Sequence, residues 1–302
     1  MGRKKNKGRP VNGVLLLDKP IGMSSNFALQ KVKRIFYARK AGHTGSLDPL
    51  ATGMLPICLG EATKISAFLL DADKTYVFSC QLGARTETAD AEGEITERAP
   101  FEHIQQADIE KVLPDFIGPQ DQIPPMYSAL KKDGKRLYEL AREGKTVERK
   151  ARRITLYDLQ LLGFENGILS LQVSCSKGTY VRTLAEDIAA AVGTLAYITE
   201  LRRTSVVPYE SEMITMEQLD AMADADYADM DKLLLPMDSG IEAWPAVNLD
   251  ADSAYYIKLG QPVQVAKAPT KGLLRIYEDE QFIGVGKIDN DGRVAPKRMM
   301  NL

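Results

Sequence analysis

The residues best suited to chemistry in this chain are few, and the clearest sits alone. Residues 41 to 56 read AGHTGSLDPLATGMLP, with three glycines, two prolines, one histidine and a single acid, Asp48. The run has neither the period of 2 of a strand nor the 3.6 of a helix, so it reads as a loop. An acid at the centre of such a loop starts a turn, caps a helix, or acts as a nucleophile or base. Arg182 is permanently charged, and Glu186 four residues on offers it an ordinary helical ion pair. Tyr76 reads as the first core-facing residue of an alternating strand. His43, between small residues, reads as an exposed loop imidazole, suited to a base, a phosphate or a plain surface position.

Several chemistries lack the residues they need. The chain has two histidines, His43 and His103, which excludes a histidine-rich metal centre. Its three cysteines, Cys58, Cys80 and Cys175, stand far apart without CxxC spacing, so neither a zinc site nor a disulfide framework is expected. Neither a Walker loop nor a GxGxxG run follows a strand-like segment. The expectation is a reaction with no metal and no cofactor.

The elements that must position these residues are read from periodicity. Residues 1 to 10, MGRKKNKGRP, read as a disordered basic arm, too charged for a signal peptide. A short strand ends at Asp18-Lys19-Pro20. A helix follows from about residue 25, with Phe27, Leu29, Val32 and Ile35 as its apolar positions. A second helix is expected over 60–74, with Lys64 in its first turns. Residues 74–83 alternate, placing Tyr76, Phe78, Cys80 and Leu82 on one face. Helices are expected over 108–118 and 136–143, strands over 155–162 and 168–175. SKGTYVRTLAEDIAAAVG reads as an amphipathic helix with Leu184, Ile188 and Val192 inward and Gly193 ending it. From about residue 248 short β-like runs between turn residues suggest a small appended all-β module.

Charge is the other signal. The net charge of −2 conceals eleven Lys or Arg against one acid in residues 1 to 40, and ten basic side chains against four acids in 131 to 153. Residues 210 to 252 carry twelve acids against Lys232. Two basic stretches framing a glycine-rich loop favour a polyanionic partner, most naturally nucleic acid. The first apolar run, Val14 to Leu17, is too short for a membrane span, so a cytoplasmic protein is expected.

The run AGHTGSLDPLATGMLPICLGEATK, preceded by GVLLLDKPIGMSSN and followed by DADKTYVF, closely resembles the TruB-type tRNA pseudouridine-55 synthases of bacteria. The resemblance continues in PPMYSALKKDGKRLYELAREG, CSKGTYVRTLAEDIAAAVG and LRRTSVVPY, over roughly residues 11 to 240. It implies an α+β pseudouridine synthase fold: a central mixed, largely antiparallel sheet, a basic inserted clamp over about 124–152, and a small C-terminal β (PUA-like) domain. The implied organisation is a catalytic domain over 11–246 and an RNA-binding domain over 247–302.

The implied activity is isomerisation of uridine 55 in the T-arm of tRNA, by a protein with nothing that demands more than a monomer. The resemblance puts the catalytic aspartate on Asp48, the active-site arginine on Arg182 and the base-stacking tyrosine on Tyr76. His43, Lys19 and Lys64 match positions in or near the pocket, and Ser25, Asp90, Tyr180 and Leu201 match further family positions. The chemistry is coherent with these types. A flipped-out base costs a few kcal/mol, part of which stacking on an aromatic ring returns. Burial would raise the pKa of Asp48 above its usual ~4, and a guanidinium would oppose that rise. The rival readings are a non-catalytic RNA-binding or RNA-folding protein on the same scaffold, and a base glycosylase.

Overall fold

The computed structural model describes residues 8–210 and 212–302. Most of the expected basic arm, residues 1–7, therefore lies outside the described residues. Its last part is not disordered: Arg9 bridges to Ala38, donates to the Phe36 carbonyl at 2.9 Å and pairs with the Asp231 carboxylate.

Along the chain, β1 (Gly13–Lys19) leads through Ser24 into α1 (Ser25–Ile35). The Ser24 side chain accepts from Phe27 N, capping the helix. Then come β2 (Ala41–His43) and β3 (Thr52–Leu59), a one-turn 3-10 helix over Gly60–Lys64, and the short α2 (Ser66–Leu69). Next is β4 (Lys74–Leu82), followed by the β5 (Ala84–Thr86) and β6 (Ile95–Arg98) hairpin, α3 (Gln106–Val112) and β7 (Gly118–Gln122). The basic excursion folds as a tight hairpin of β8 (Lys131–Lys132) and β9 (Lys135–Arg136) leading into α4 (Leu137–Arg142). Its two turn residues, Asp133 at φ 51 and Gly134 at φ 83, are both left-handed, the geometry a two-residue hairpin turn favours. Long β10 (Arg152–Glu165), β11 (Ile168–Cys175), α5 (Val181–Ala191) and β12 (Ala196–Val206) complete the centre. Short β13 (Ile214–Thr215), α6 (Met216–Ala221) and α7 (Tyr227–Asp231) lead to a module of β14 (Ala246–Leu249), α8 (Ala251–Lys258), β15 (Leu273–Glu278), β16 (Gln281–Ile288) and β17 (Val294–Met299).

The main sheet has nine strands in the order β13-β1-β3-β12-β4-β11-β10-β7, with β2 attached to β3. Only β13–β1 and β3–β12 run parallel, so the sheet is mixed and largely antiparallel, as expected. Its inner face carries the main core: Phe78, Cys80, Leu171 and Val173 from the strands, against Leu184 and Ile188 of α5 and Ala28 and Val32 of α1. The C-terminal sheet runs β14-β15-β16-β17 and keeps its own core of Val247, Leu249, Ile257, Leu274 and Ile276. The module is not all-β as the short runs suggest, since α8 packs Ala254 and Ile257 into that core. It is joined to the large sheet's domain through Ile65, Phe68, Ile241, Trp244, Phe282 and Met300.

Three other local expectations are corrected. Residues 41–56 are not one loop: their ends are β2 and the start of β3, and only the middle is irregular. Phe27 lies on the outer side of α1 at 60% exposure, and the buried positions are Ser25, Ala28, Leu29 and Val32. The segment 60–74 breaks into a 3-10 turn, a four-residue helix and a strand start instead of one helix.

Candidate active site

Strand β3 changes partners along its length, and that change opens the site. One flank is covered throughout by β1; on the other, Ile57–Leu59 pair with β2 while Thr52 and Gly53 pair with β12. Residues 44–51 leave the sheet between the two partners and carry Asp48 over its surface. Gly53 lets β12 come close: a Cβ there would lie 2.2 Å from the Arg203 carbonyl oxygen, and its φ is +95°.

The loop is held from several sides. Ser25 Oγ donates to the Leu47 carbonyl at 3.0 Å and accepts from Leu47 N at 2.7 Å, pinning the residue next to Asp48 to the start of α1. Lys19, fully buried, donates its ammonium to the carbonyls of Met23 at 2.7 Å, Pro20 at 2.8 Å and Pro49 at 3.3 Å. Burial lowers its pKa to about 8, and Asp48 opposes that shift. Ala51 N closes a turn on the Asp48 carbonyl at 3.1 Å.

Arg182, from the first turn of α5, supplies the counter-charge. Its guanidinium is aimed by two main-chain carbonyls, Thr88 and Tyr127, each at 2.7 Å. It stands 3.0 Å from Asp48 Oδ2 and 3.4 Å from Asp90 Oδ2. The side chains of Arg182 and Asp90 are 6% and 3% exposed, whereas that of Asp48 is 44% exposed. Withdrawal from bulk water raises the Asp48 pKa, Arg182 opposes this and Asp90 reinforces it. Glu186, the alternative helical partner of Arg182, faces Arg85 instead at 3.4 Å.

A cavity of about 330 Å³ opens beside the carboxylate, lined by Asp48, Tyr76, Tyr180, Arg182, Leu201 and Arg203 among others. That volume, near the lower end for ligand pockets, suits one nucleotide and not a duplex. Tyr76 sits on β4 opposite Arg203 of β12 and is 8% exposed. Burial raises its phenol pKa and Arg203 pulls the other way. Tyr180, the residue before α5, is locked by a reciprocal pair with the Gln122 side chain, 2.8 Å and 3.1 Å.

The structure thus brings Asp48, Tyr76, Arg182, Tyr180 and Leu201 together. His43 is on β2, half-buried, and its Nδ1 faces Gly45 N at 3.4 Å; it is not the exposed loop imidazole its neighbours suggest. Burial lowers its pKa, and Arg203 adds to that, which keeps the ring neutral near pH 7. Lys19 lies behind the loop, its ammonium occupied by the carbonyls already named. Lys64 points to the C-terminal module, 2.7 Å from the Met299 carbonyl and 2.5 Å from Glu61. Neither lysine lines the cavity.

Arg203 and Lys74 line it instead, and sequence reasoning did not single them out. Arg203 is 1% exposed, donates to the Met54 carbonyl at 2.7 Å and the Gly45 carbonyl at 3.3 Å, and has no carboxylate partner among the described residues. Lys74 donates to the carbonyls of Leu70 and Ala72, and burial, aided by Arg203, lowers its pKa to about 8. A signal was present. Lys74 shares its strand face with Tyr76, and Arg203 shares its face with Leu201, so both are cations at positions where alternation calls for an apolar residue.

Three family descriptions match the chain in succession. The N-terminal domain of TruB family pseudouridylate synthase covers residues 33–181. The tRNA pseudouridylate synthase B C-terminal domain covers 182–242, and the C-terminal part of pseudouridine synthase II TruB covers 245–300. A protein of Nitrosococcus oceani named tRNA pseudouridine synthase B is 52% identical over 300 residues, 99% of this chain and 97% of that one. One of Yersinia pestis with the same name is 55% identical over 310 residues, 99% of this chain and 95% of its own. The chain belongs to the TruB family of pseudouridylate synthases. Among solved structures, a Cbf5-Nop10-Gar1 complex contains a chain that superposes with TM-score 0.71 at 25% identity, covering 95% of this chain and 83% of that one. A chain of an H/ACA RNP bound to a substrate RNA containing 2'-deoxyuridine superposes with TM-score 0.72 at 23% identity, covering 100% and 92%; it speaks for the fold alone. As a pseudouridylate synthase, the TruB family member described here is an isomerase: the glycosidic bond from N1 of uracil is exchanged for one from C5.

Proposed function

We propose that this chain isomerises uridine 55 in the T-arm of tRNA, acting as a monomer in the cytoplasm, with Asp48 as the nucleophile or base. The observation that carries the reading is the Asp48 carboxylate itself: one oxygen faces Arg182, the other makes no hydrogen bond among the described residues, and the residue lines the nucleotide-sized cavity. The relatives named tRNA pseudouridine synthase B supply the substrate class.

In this reading the target uridine swings out of the T-loop and enters the cavity, where the face of Tyr76 supports the base. Asp48, ionised at neutral pH, attacks C1′ or C6, or removes a sugar proton. Each route uses the same unpaired oxygen. Arg182 keeps the carboxylate oriented and charged, and Asp90 holds Arg182 from behind. The narrow pocket retains the detached uracil until C5 meets C1′; the C5 proton then leaves to solvent and N1 takes one up. The reaction is an isomerisation, so atoms balance without a co-reactant. Lys19, Ser25 and Lys64 act on the scaffold side of this arrangement: the first two fix the loop, and the third ties the catalytic domain to the C-terminal module, which we read as a second RNA contact.

The test uses a T-arm hairpin tritiated at C5 of its uridines. Wild-type protein should release tritium without free uracil. Asp48→Asn should lose about 10⁴-fold or more, the scale on which removal of a nucleophile acts. Activity retained in Asp48→Asn would sink the assignment, binding without release would favour the RNA-folding reading, and free uracil would mean a glycosylase.

A further inference from the structure

We propose that the C-terminal end of α1 is a further docking surface for the RNA, beyond the cleft and the C-terminal module, in which Lys33, Arg34, Arg39 and Lys40 hold backbone phosphates and Tyr37 stacks on an unpaired base. The inference rests on the reading that the substrate is a structured RNA.

The surface departs from an ordinary helix end in three ways. Tyr37 occupies the left-handed position after the helix, with φ 48°, closed by Tyr37 N to the Arg34 carbonyl and Ala38 N to the Lys33 carbonyl, both 2.9 Å. Glycine or asparagine fits there without strain, and a tyrosine does not. The ring is nonetheless directed outward, 51% exposed, at the edge of a cavity of about 230 Å³ lined by Gln30, Lys33, Arg34, Tyr37 and Ala38. Packing therefore does not account for it. Secondly, the four cations make no ion pair among the described residues, with Glu61 the acid nearest in effect to Lys40, although neighbouring cations are paired. Lys31 meets Asp220 at 2.5 Å, and Arg9 meets Asp231 while lying 4.3 Å over the Tyr227 ring. Acids of 210–252 thus neutralise those neighbours and leave Lys33, Arg34 and Arg39 without an acidic partner among the described residues. A helix dipole explains a cation or two in the last turn, here Lys33 and Arg34, but not Arg39 and Lys40 beyond it.

Thirdly, the segment is held rigid. Arg9 N donates to the Tyr37 carbonyl at 2.7 Å, Arg39 N to the Arg9 carbonyl at 3.2 Å, and Arg39 Nε to the Gly8 carbonyl at 2.7 Å. An exposed aromatic framed by unpaired cations on a fixed backbone is a stacking platform with its phosphate contacts. The opposite end of α1 is the one pinned to Leu47, beside Asp48. One eleven-residue helix, ~16 Å long, therefore separates the platform from the active loop, within the length of a single RNA stem.

The test measures tRNA affinity against salt for wild type, Lys33→Gln/Arg34→Gln and Tyr37→Gly, with KM and kcat on the same tRNA. The double variant should flatten the slope of log K against log salt by about 1–2, the loss of two phosphate contacts, and raise KM with kcat at saturating RNA retained. Tyr37→Gly removes the strain, so its melting temperature should equal or exceed wild type, while tRNA binding weakens about 5-fold or more. An unchanged slope in the double variant, or unchanged affinity in Tyr37→Gly, overturns the proposal. Failure of the underlying enzymatic reading is seen separately, as absence of pseudouridine in tRNA treated with wild-type protein.

Discussion

Two arginines in this protein face buried aspartates, one in the cleft and one at the seam with the C-terminal module, and their surroundings differ in one respect. At the seam, Arg275 meets Asp238 at 2.9 Å, the Tyr277 hydroxyl donates to the same carboxylate oxygen, and Arg275 Nε reaches the Trp244 carbonyl at 3.2 Å. The side chains of Arg275 and Asp238 are 15% and 8% exposed, and burial with the neighbouring carboxylate pushes the Tyr277 phenol up to about 12, so it remains a donor. That set is closed. In the cleft, Arg182 is equally well anchored, but one of its two carboxylates, Asp48, keeps a free oxygen and stands partly in solvent. The difference is donors and solvent access: two donors share Asp238, which is 8% exposed, whereas Asp48 has Arg182 alone and is 44% exposed, which leaves it open to a reacting group.

The comparison breaks most sharply at Arg182. Arg182→Met leaves Asp90, 3% exposed at its side chain, without its cation, and a buried charge so stranded costs about 3–5 kcal/mol of stability. Asp48 would also lose the group that holds it ionised. The expected outcome in urea unfolding is a large loss for the single variant and substantial recovery for Arg182→Met/Asp90→Asn, with activity restored in neither. Equal stability of the single and double variants would mean that Asp90 is not the residue Arg182 neutralises.

The seam should respond in stability alone. Arg275→Met strands Asp238 with only the Tyr277 hydroxyl and should cost about 2–4 kcal/mol, less than at Arg182 because the seam is more exposed. Tritium release from a short T-arm hairpin by the folded variant should keep the wild-type kcat. A fall in that kcat would show that the seam transmits to the cleft and that the two sets are not separate.

Legibility in the sequence followed the same division between regular and special. β4 was readable because its period-2 alternation is strict, with Lys74, Tyr76, Phe78, Cys80 and Leu82 buried. α5 was readable because its apolar positions recur at helical spacing and Gly193, at φ 84°, ends it. β3 was hidden for the opposite reason. It is buried on both faces, so it lacks alternation, and Gly53 and Pro56 are residues that ordinarily argue against a strand. α8 was hidden because Tyr255, Tyr256 and Leu259 are exposed around a helix of only eight residues, which blurs its apolar stripe. At the site, Asp48 stood out for being the lone acid in its loop, and Arg182 and Tyr76 came with the family resemblance. Arg203 and Lys74 required knowledge of which strands pair: only the register of β12 against β4, Arg203 beside Tyr76 and Val206 beside Lys74, shows two buried cations converging on one pocket.

The smallest effect sharpens the contrast most, because its sign is opposite to that of a structural residue. The Asp48 pKa is raised in the folded protein, chiefly by loss of water around it, above its value in the unfolded chain. The folded state therefore holds the proton to higher pH than the unfolded state does. The stability this contributes is present below the unfolded pKa and is lost as pH rises through the folded one. At pH 7 the ionised carboxylate is a net burden to the fold, lightened by its 44% exposure and by Arg182. Asp48→Asn should accordingly melt no lower than wild type at pH 7, higher by on the order of 1 °C, with the advantage vanishing as pH falls below the ordinary carboxylate range. In the active protein the same shift should place the acid limb of kcat above that range, and the limb should rise further in any Arg182 variant that still turns over. Differential scanning calorimetry between pH 4 and 7 decides it. An Asn variant that loses stability on going from pH 4 to 7, relative to wild type, would make Asp48 a carboxylate placed to hold the fold and not to react.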